Sequence, residues 1–358
     1  MLREKMMSIR KYVFFVNAAY CYAIFRPLQE VILLKGGEVA WFFSPEVHPQ
    51  LNPNEVILST SQQAMAYAPD VVFTAGDWVP YYLPGIKVQV FHGIARNKRG
   101  AETEQESDHY RIRGWFDLYC THADADTLEF RRLARHYQTF TVAKTGWSKL
   151  DSLFKQNQLQ KADSENELPT VFFASTFSPS ITAAPSLFQF IERIVKSGRW
   201  RVLVTLHPKM NQDVVDKYRS IVSDHYWYFS PEDDLYLPMQ QADIMLCDTS
   251  SIMYEFMFLN KPVVTFKTRN PGPHLTDFDD PQQLESVLLS TLKNNQQLIH
   301  AAKLCDELHG FRDGLSSQRI VEAIEECFDL QKFENLKPKP FNFIRKLKIR
   351  HKMNYWSL

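Results

Sequence analysis

The 358-residue sequence is poor in the residues that mark several specialised classes of protein. Its five cysteines are odd in number and lack Cys-x-x-Cys spacing, which indicates free thiols in a reducing compartment and argues against a zinc site. Only 12 glycines are present, which excludes a collagen-like chain. Basic and acidic residues number 41 each, so no overall charge favours nucleic acid. No apolar run is long enough to span a bilayer.

The apolar stretch Tyr12–Phe25 follows several basic residues and resembles a secretion signal in outline. Asn17 interrupts it, and no convincing small-residue cleavage site follows. A secretion signal is therefore the weaker alternative, and a buried strand followed by a helix is the preferred interpretation.

Common nucleotide and hydrolase motifs are also absent. The chain has no G-x-G-x-x-G, P-loop, H-E-x-x-H or G-x-S-x-G sequence. Dinucleotide redox chemistry, nucleoside-triphosphate hydrolysis and serine hydrolysis therefore lose support.

What is present is an alternation of short β-branched or aromatic runs with longer helix-like segments, which predicts parallel sheets covered by helices. Strands are predicted at Val13–Val16, Val39–Phe43, Val71–Thr74, Val88–Phe91, Thr139–Val142, Val171–Ala174, Arg201–Leu206, Ile244–Cys247 and Pro262–Phe266. Helices are predicted at Ala19–Leu34, Asp124–His136, Ser186–Ser197, Asp213–Ser223 and Ser251–Leu259, with more helix from Pro281 to Phe328. The polar segment 155–169 is predicted to connect the two series.

The predicted fold is α/β, with two Rossmann-like domains facing a cleft. The expected divisions are an acceptor domain over residues 1–145, a nucleotide-donor domain over 146–329 and a basic-aromatic tail over 330–358. Open α/β sheets bind ligands beyond the carboxyl ends of their strands. Polar residues that directly follow a predicted strand are therefore the candidate site residues.

The first candidate motif is VQVFHGIARNKRG, residues 88–100. His92 and Gly93 follow the strand, and Lys98 is one of three cations close behind. Gly93 permits a tight turn or a close approach by ligand. His92 suits a general base near neutral pH, and the cations suit phosphate. The alternative is a loop histidine beside a solvated basic turn.

The second candidate motif is RVLVTLHPKM, residues 201–210, in which His207 follows a strongly apolar strand. An imidazole donates hydrogen bonds and carries charge when protonated, so His207 suits a phosphate or a leaving group. A strand-end histidine satisfied by the main chain is the alternative.

The third motif, residues 243–266, is the strongest because a strand runs directly into four polar residues and then a helical pattern. The polar residues are Asp248, Thr249, Ser250 and Ser251. N–H groups at a helix start bind anions, and small hydroxyl residues let a phosphate approach closely. Glu255 lies one turn further on, where it can meet a ribose hydroxyl. The alternative is a capping box with Ser251 as the cap.

These motifs, with TGWSKLD (145–151) as a weaker match, resemble the CDP-glycerol glycerophosphotransferase family, which includes teichoic-acid-type primases and polymerases. The likeness runs in order over about residues 88–328 and implies the glycosyltransferase-B fold. It implies that His92 is the catalytic base, that His207, Ser250 and Ser251 contact the donor phosphates, that Asp248 and Glu255 support the nucleotide end, and that Lys98 helps to hold phosphate. Ile94-Ala95, Trp147-Ser148-Lys149 and Glu255 depart from the family pattern.

The resemblance implies transfer of glycerol phosphate, or a related alditol phosphate, from a CDP-alditol to a hydroxyl of a cell-surface glycan or lipid-linked acceptor, with release of CMP. No metal and no cofactor are expected, because the protein itself can neutralise the phosphates. Two alternatives remain: a nucleotide-sugar glycosyltransferase or UDP-sugar 2-epimerase on the same fold, and a non-catalytic module that binds a nucleotide or polymer.

The end of the chain is basic and aromatic. Residues 329–358 contain eight Lys or Arg and two Asp or Glu, a net charge of +6. Within this stretch, residues 337–358 suit the surface of an anionic membrane, so the expected location is the cytoplasm or the inner face of the cell membrane. A segment packed back on the first domain, or a disordered tail, is the alternative. Nucleic acid is not an expected partner, because no nucleic-acid motif accompanies the basic residues.

Overall fold

The computed structural model describes residues 9–94, 108–157, 168–230, 233–294 and 296–356. The chain divides into two compact units, Met1–Ser152 with Glu307–Leu358 and Leu153–Asp306. Each unit contains one parallel sheet with helices, so the predicted α/β class with two Rossmann-like halves is confirmed.

The first unit contains a sheet in which seven of the described strands run parallel, in the order β3-β2-β1-β4-β5-β6-β7. The strands are β1 (Lys11–Val16), β2 (Glu38–Phe43), β3 (Val56–Leu58), β4 (Val71–Thr74), β5 (Ile86–Gln89), β6 (Leu118–Thr121) and β7 (Thr141–Lys144). Its helices are α1 (Cys21–Leu34), α2 (Ser61–Tyr67) and α3 (Asp124–Tyr137). Helix α4 (Lys149–Asn157) spans the point in the chain where the two units divide.

The second unit contains a sheet of six described strands in the order β10-β9-β8-β11-β12-β13. They are β8 (Thr170–Ser175), β9 (Arg201–Leu206), β10 (Tyr226–Phe229), β11 (Ile244–Cys247), β12 (Val263–Phe266) and β13 (Thr276–Phe278). The helices are α5 (Ala184–Lys196), α6 (Gln212–Arg219), α7 (Tyr236–Gln241), α8 (Ile252–Met257), α9 (Leu284–Lys293) and α10 (Gln296–Leu308). The central strands are apolar and fully buried, as expected for a parallel sheet covered on both faces.

Helix α11 (Ser316–Asp329) belongs to the first unit, whereas the predicted boundary placed it in the second. The buried carboxylate of Asp151 accepts the main-chain N–H groups of Ser316 and Ser317 at 2.8 and 2.6 Å. Arg10 also pairs with Glu325 of this helix at 2.7 Å. The bonds to Asp151 stabilise the start of α11, and the ion pair attaches its later turns to the residue before β1. The helix lies beside α1, which sequence order alone does not indicate.

The C-terminal segment also belongs to the first unit and ends in helix α12 (Phe343–Lys352). Ile349, Met353 and Tyr355 are buried in the hydrophobic cluster on one face of the first sheet. The alternative of a tail packed back on the first domain is therefore confirmed for these side chains. Within the described ranges, no helix has the length and apolar character needed to cross a bilayer.

Candidate active site

Four loops meet at one edge of the second sheet. Strands β9, β8, β11 and β12 are adjacent and parallel, so the residues that follow them lie side by side. These residues include His207 after β9, Thr176 after β8, Asp248 after β11 and Lys267 after β12. The edge is where an open α/β sheet binds its ligand.

Asp248 is fully buried, and its side chain forms hydrogen bonds within the second unit. Its carboxylate accepts hydrogen bonds from Ser175 Oγ at 2.6 Å and from the main-chain N–H groups of Thr176 and Ala183 at 3.0 Å. Burial raises the pKa of Asp248, and these hydrogen bonds oppose the rise. The prediction that Asp248 supports the nucleotide directly is therefore corrected. The carboxylate holds the loops after β8 and β11 together.

Ser250 is half-buried and Ser251 is exposed at the start of α8. Helix α8 is shorter than predicted, and Ser251 makes no side-chain cap, so the capping-box alternative is wrong. The main-chain carbonyls of Ser250 and Ser251 accept the N–H groups of Met253 and Tyr254 at 3.4 and 3.2 Å. Within the described ranges neither serine hydroxyl forms a hydrogen bond, so both are available to an anion.

Arg269 is a site residue that the sequence motifs missed. Its main-chain N–H donates to Thr249 Oγ1 at 3.0 Å, and its guanidinium donates to Ser180 Oγ at 3.0 Å. The side chain is exposed, and the guanidinium adds a positive charge at Ser180. The main chain of Arg269 is bonded to Thr249, the residue before Ser250. Arg269 is the third residue after β12, whereas His207 directly follows β9, so a search of the residues next to each strand does not find it.

His207 is a half-buried donor at the same edge. Its Nδ1 accepts the main-chain N–H of Lys209 at 3.0 Å, so the neutral ring carries its proton on Nε2. Burial, together with the charge of Lys209, lowers the pKa of His207. The ring lies 4.4 Å from that of Phe177. At neutral pH His207 therefore offers one N–H to a phosphate without adding charge.

Glu255 lies half-buried on α8 and accepts a hydrogen bond from the Tyr236 hydroxyl at 3.1 Å. This contact fixes the carboxylate of Glu255 one turn beyond Ser251. A role at the ribose stays a prediction.

The first unit contains the other predicted residue of catalysis, His92, on the loop after β5. Its neighbour Phe91 has a left-handed φ of 55°, an unusual conformation for a bulky residue. Phe91 is buried in the hydrophobic cluster, and this reversal of the chain leaves the next side chain, His92, exposed. Strain of this kind is concentrated at functional positions.

The imidazole of His92 has a defined orientation. Nδ1 lies 3.3 Å from the carbonyl oxygen of Ala75, and the ring stacks on Tyr20 at 5.1 Å. A carbonyl can only accept, so in the neutral ring Nδ1 carries the proton and Nε2 is the acceptor nitrogen. This is the tautomer that a general base needs.

Gly93 and Lys98 are the other two residues that the sequence predicted as site residues on this loop. The left-handed φ falls at Phe91 rather than at Gly93, so Gly93 is not required by the turn. A Cβ at Gly93 meets no atom within 4 Å, which leaves open space above its main chain. Lys98 lies outside the described residues.

A second histidine pair lies inside the first unit and was not predicted. His122 follows β6, and burial lowers its pKa to about 3. His309 is also buried, with a pKa lowered to about 4, and its Nε2 accepts the N–H of Trp147 at 2.7 Å. Ser148 donates to the carbonyl of Ile24 at 2.8 Å. Trp147 and Ser148, which depart from the family pattern, are therefore buried residues that make structural contacts.

Comparison with known proteins gives one family. The family model described as CDP-glycerol:poly(glycerophosphate) glycerophosphotransferase matches residues 33–326. The teichoic acid ribitol-phosphate polymerase TarL of Staphylococcus aureus is 25% identical over 211 residues, which cover 51% of this chain and 37% of TarL. The chain thus spans well under half the length of that relative.

Solved structures show the same fold at low sequence identity. The wall teichoic acid polymerase TagF, in a variant soaked with CDPG, has a TM-score of 0.60 at 14% identity, covering 89% of each chain. A Listeria monocytogenes protein described as a UDP-N-acetylglucosamine 2-epimerase has a TM-score of 0.61 at 16% identity, covering 93% of this chain and all of that one. At these identities the likeness establishes architecture alone.

Proposed function

Because the chain belongs to the CDP-glycerol:poly(glycerophosphate) glycerophosphotransferase family, we propose that it transfers an alditol phosphate from a CDP-alditol to an acceptor hydroxyl. The donor is CDP-glycerol or a related CDP-alditol, and CMP is released. The acceptor is a cell-surface glycan or a lipid-linked molecule, as in synthesis of a teichoic-acid-like polymer.

The observation that carries this proposal is the group of donors at the edge of the second sheet. Arg269 supplies a positive charge, Ser250 and Ser251 supply hydroxyls, and His207 supplies an Nε2 proton. Charge-assisted hydrogen bonds of this kind match the oxygens of a diphosphate. We assign the diphosphate of the donor to this edge.

The proposed reaction transfers one phosphoryl group between oxygens. The acceptor oxygen forms a bond to the phosphorus that carries the alditol, and the bond from that phosphorus to the oxygen bridging to CMP breaks. The acceptor proton passes to Nε2 of His92. CMP departs with the bridging oxygen, whose charge the donors of the second unit stabilise.

These side chains supply one positive charge and several hydrogen-bond donors to the diphosphate, and we propose that transfer requires no metal ion or cofactor. We expect CMP release to persist after treatment with EDTA and dialysis. A loss of activity that Mg²⁺ or Mn²⁺ restores would contradict this part of the proposal.

The test of function is a panel of activated donors. Purified protein is incubated with CDP-glycerol, CDP-ribitol, UDP-sugars and CMP-sugars, with a native lipid extract as the acceptor source. Released nucleotide and product mass are measured by mass spectrometry. We expect CMP from a CDP-alditol and a product heavier by one alditol phosphate.

Release of UDP alone would overturn the proposal in favour of a nucleotide-sugar glycosyltransferase. Epimerisation of UDP-N-acetylglucosamine without net release would favour a 2-epimerase. Donor binding without turnover under any condition would favour a non-catalytic module.

A lipid-linked acceptor places the reaction at a membrane surface. We therefore extend the proposal to peripheral contact with the inner face of the cell membrane, which is anionic.

A further inference from the structure

We propose that the outward side of α12 is the surface that docks this protein on an anionic lipid bilayer. We call it the outer face and define it as Phe341, Phe343, Ile344, Leu347, Lys348 and Trp356. The inference deepens the proposed function, on which its purpose rests, by assigning the membrane contact to specific side chains.

The opposite side of α12 is fixed to the first unit. Ile349, Met353 and Tyr355 are buried, and the ring of Tyr355 stacks on that of Tyr82 at 4.1 Å. Lys352 Nζ lies 2.6 Å from the carboxylate of Glu46. The helix is therefore attached along its inner side, and its other side is held in a constant orientation.

The outer face is apolar although it faces solvent. The exposed fractions of Phe341, Phe343, Ile344 and Leu347 are 75%, 56%, 69% and 40%. Positions 343, 344 and 347 are neighbours on one helix stripe, and the rings of Phe341 and Phe343 stack at 5.8 Å. Contiguous exposed apolar side chains indicate an interaction surface rather than ordinary solvated helix.

The segment that carries this face has charged side chains of one sign. Residues 336–356 contain seven Lys or Arg and no Asp or Glu. Lys339 and Lys352 form ion pairs with Asp117 and Glu46. Lys348 is exposed on the outer face and Arg345 is exposed beside it. Cations next to inserted apolar side chains match anionic head groups above acyl chains.

Exposed apolar side chains next to cations favour a bilayer over a soluble polyanion or a second copy of the chain. A soluble polyanion would pair with the cations but would leave four large apolar side chains in water. A second copy of the chain would cover the apolar side chains but would bring two strongly basic segments together. A bilayer containing anionic lipid meets both requirements.

The test is flotation of the full chain with vesicles. We expect binding to phosphatidylcholine vesicles that contain one quarter phosphatidylglycerol and much weaker binding to phosphatidylcholine alone. Binding should fall between 0.1 M and 0.5 M NaCl, because salt screens the attraction between exposed charges. Equal binding to both vesicle types, or no binding, would overturn the proposal.

Two paired variants separate the contributions of the outer face. Phe343→Ser/Ile344→Ser should weaken binding at least about tenfold, because two apolar side chains no longer enter the lipid. Arg345→Gln/Lys348→Gln should weaken it by roughly tenfold or more at low salt, because each cation near the surface contributes about fivefold. Circular dichroism confirms that the variants are folded.

The matched controls lie elsewhere on the protein. Leu33 and Leu34 are exposed at the end of α1, and Lys293 and Lys303 are exposed in the second unit. Leu33→Ser/Leu34→Ser and Lys293→Gln/Lys303→Gln should bind vesicles as the wild type does. Equal losses in control and outer-face variants would overturn the assignment. A loss on removing the cations but not the apolar pair would favour a soluble polyanion.

Failure of this proposal and failure of the proposed function are distinguishable. CMP release from CDP-alditols is measured for the same variants with the acceptor extract dispersed in detergent and no vesicles, where the outer face has no role. Retained release with lost vesicle binding supports the docking face. Vesicle binding without release from any CDP-alditol would refute the proposed function and leave the docking face standing.

Discussion

The carboxylate of Asp248 and the hydroxyl of Ser175 form a 2.6 Å hydrogen bond inside the second unit, between the ends of two neighbouring strands. The same carboxylate accepts two main-chain N–H groups at the loop after β8 and the start of α5. Asp248 thereby fixes the position from which Ser250 and Ser251 reach solvent. We therefore predict that Asp248 is a positioning residue and does not contact the donor.

Asp248→Ala is expected to lower the free energy of unfolding of the second unit by about 3–5 kcal/mol. The change leaves the N–H groups of Thr176 and Ala183 without this acceptor and removes the shortest hydrogen bond of Ser175 Oγ, and each lost partner costs about 1–3 kcal/mol. Asp248→Asn retains one acceptor oxygen and should cost less. Urea unfolding followed by circular dichroism measures both.

The control is Asp224→Ala, because Asp224 is an exposed carboxylate of the same unit. Its effect should stay within about 0.5 kcal/mol. An Asp248→Ala protein as stable as the wild type, with weakened donor binding, would instead make Asp248 a ligand.

Arg269→Ala is expected to weaken CDP-alditol binding by roughly 10- to 100-fold, because a charge-assisted hydrogen bond contributes about 1.5–3 kcal/mol. Isothermal titration calorimetry measures the dissociation constant. Arg269→Lys keeps the charge but loses the planar guanidinium, so it should restore affinity only in part. Arg199→Ala, an exposed arginine on the same unit, should bind donor normally. Unchanged affinity of Arg269→Ala would place the diphosphate elsewhere.

Ser250→Ala/Ser251→Ala is expected to lower kcat by about 100-fold or more. The two hydroxyls are assigned to the charge that grows on the departing CMP, and loss of one such donor typically costs about 100- to 1,000-fold in rate. CMP release at saturating donor measures kcat. The matched pair Ser286→Ala/Ser290→Ala, on exposed α9 positions, should keep full activity. A raised KM with normal kcat would show that the hydroxyls serve ground-state binding only.

His92→Ala is expected to lower turnover by about 100- to 10,000-fold with little change in donor affinity, because a general base contributes to proton transfer and not to donor binding. Single-turnover release of CMP and calorimetry of the donor separate the two quantities. Tyr20→Leu removes the ring stacked on His92 and keeps the imidazole, so it should cost much less. Retained turnover in His92→Ala would remove His92 from the role of base.

The alternation of apolar runs predicted both sheets and most of their strands. Strands β3 and β13 were missed, because runs of three residues carry too little pattern to separate a strand from a loop. Strands β6 and β10 were also missed, although β4 and β11 are equally short and were predicted. Missing β6 also hid His122, whose importance depends on its position directly after that strand.

The candidate site was predictable where a motif is local and not where it depends on the tertiary structure. His207, Ser250 and Ser251 were found because each follows a clear strand, and the structure brings them to one sheet edge. Asp248 acts inside the protein because it is buried. Its burial results from contacts with β8 and with the start of α5, which the local sequence does not show. The attachment of α11 to Asp151 is likewise a contact over more than 160 residues of chain.

The final prediction concerns acid stability and the buried pair His122 and His309. Burial lowers their pKa values from 6.5 to about 3 and about 4, so both are neutral in the folded protein while the unfolded chain takes up protons below pH 6.5. The stability that they contribute is complete above pH 6.5 and is lost as the pH falls. Between pH 6 and pH 4.5 each histidine should lower the free energy of unfolding by about 1.4 kcal/mol for each unit that the pH falls.

Urea midpoints of the first unit at pH 7.5, 6.0 and 5.0 measure this slope. His122→Gln should remove about half of it, and His122→Gln/His309→Gln should remove most of it, even though both variants begin from a lower stability at pH 7.5. His136→Gln, at an exposed position of α3 in the same unit, should retain the wild-type slope. Glutamine does not titrate in this pH range. An equally steep fall of stability in the double variant would therefore show that other groups cause the loss of stability in acid.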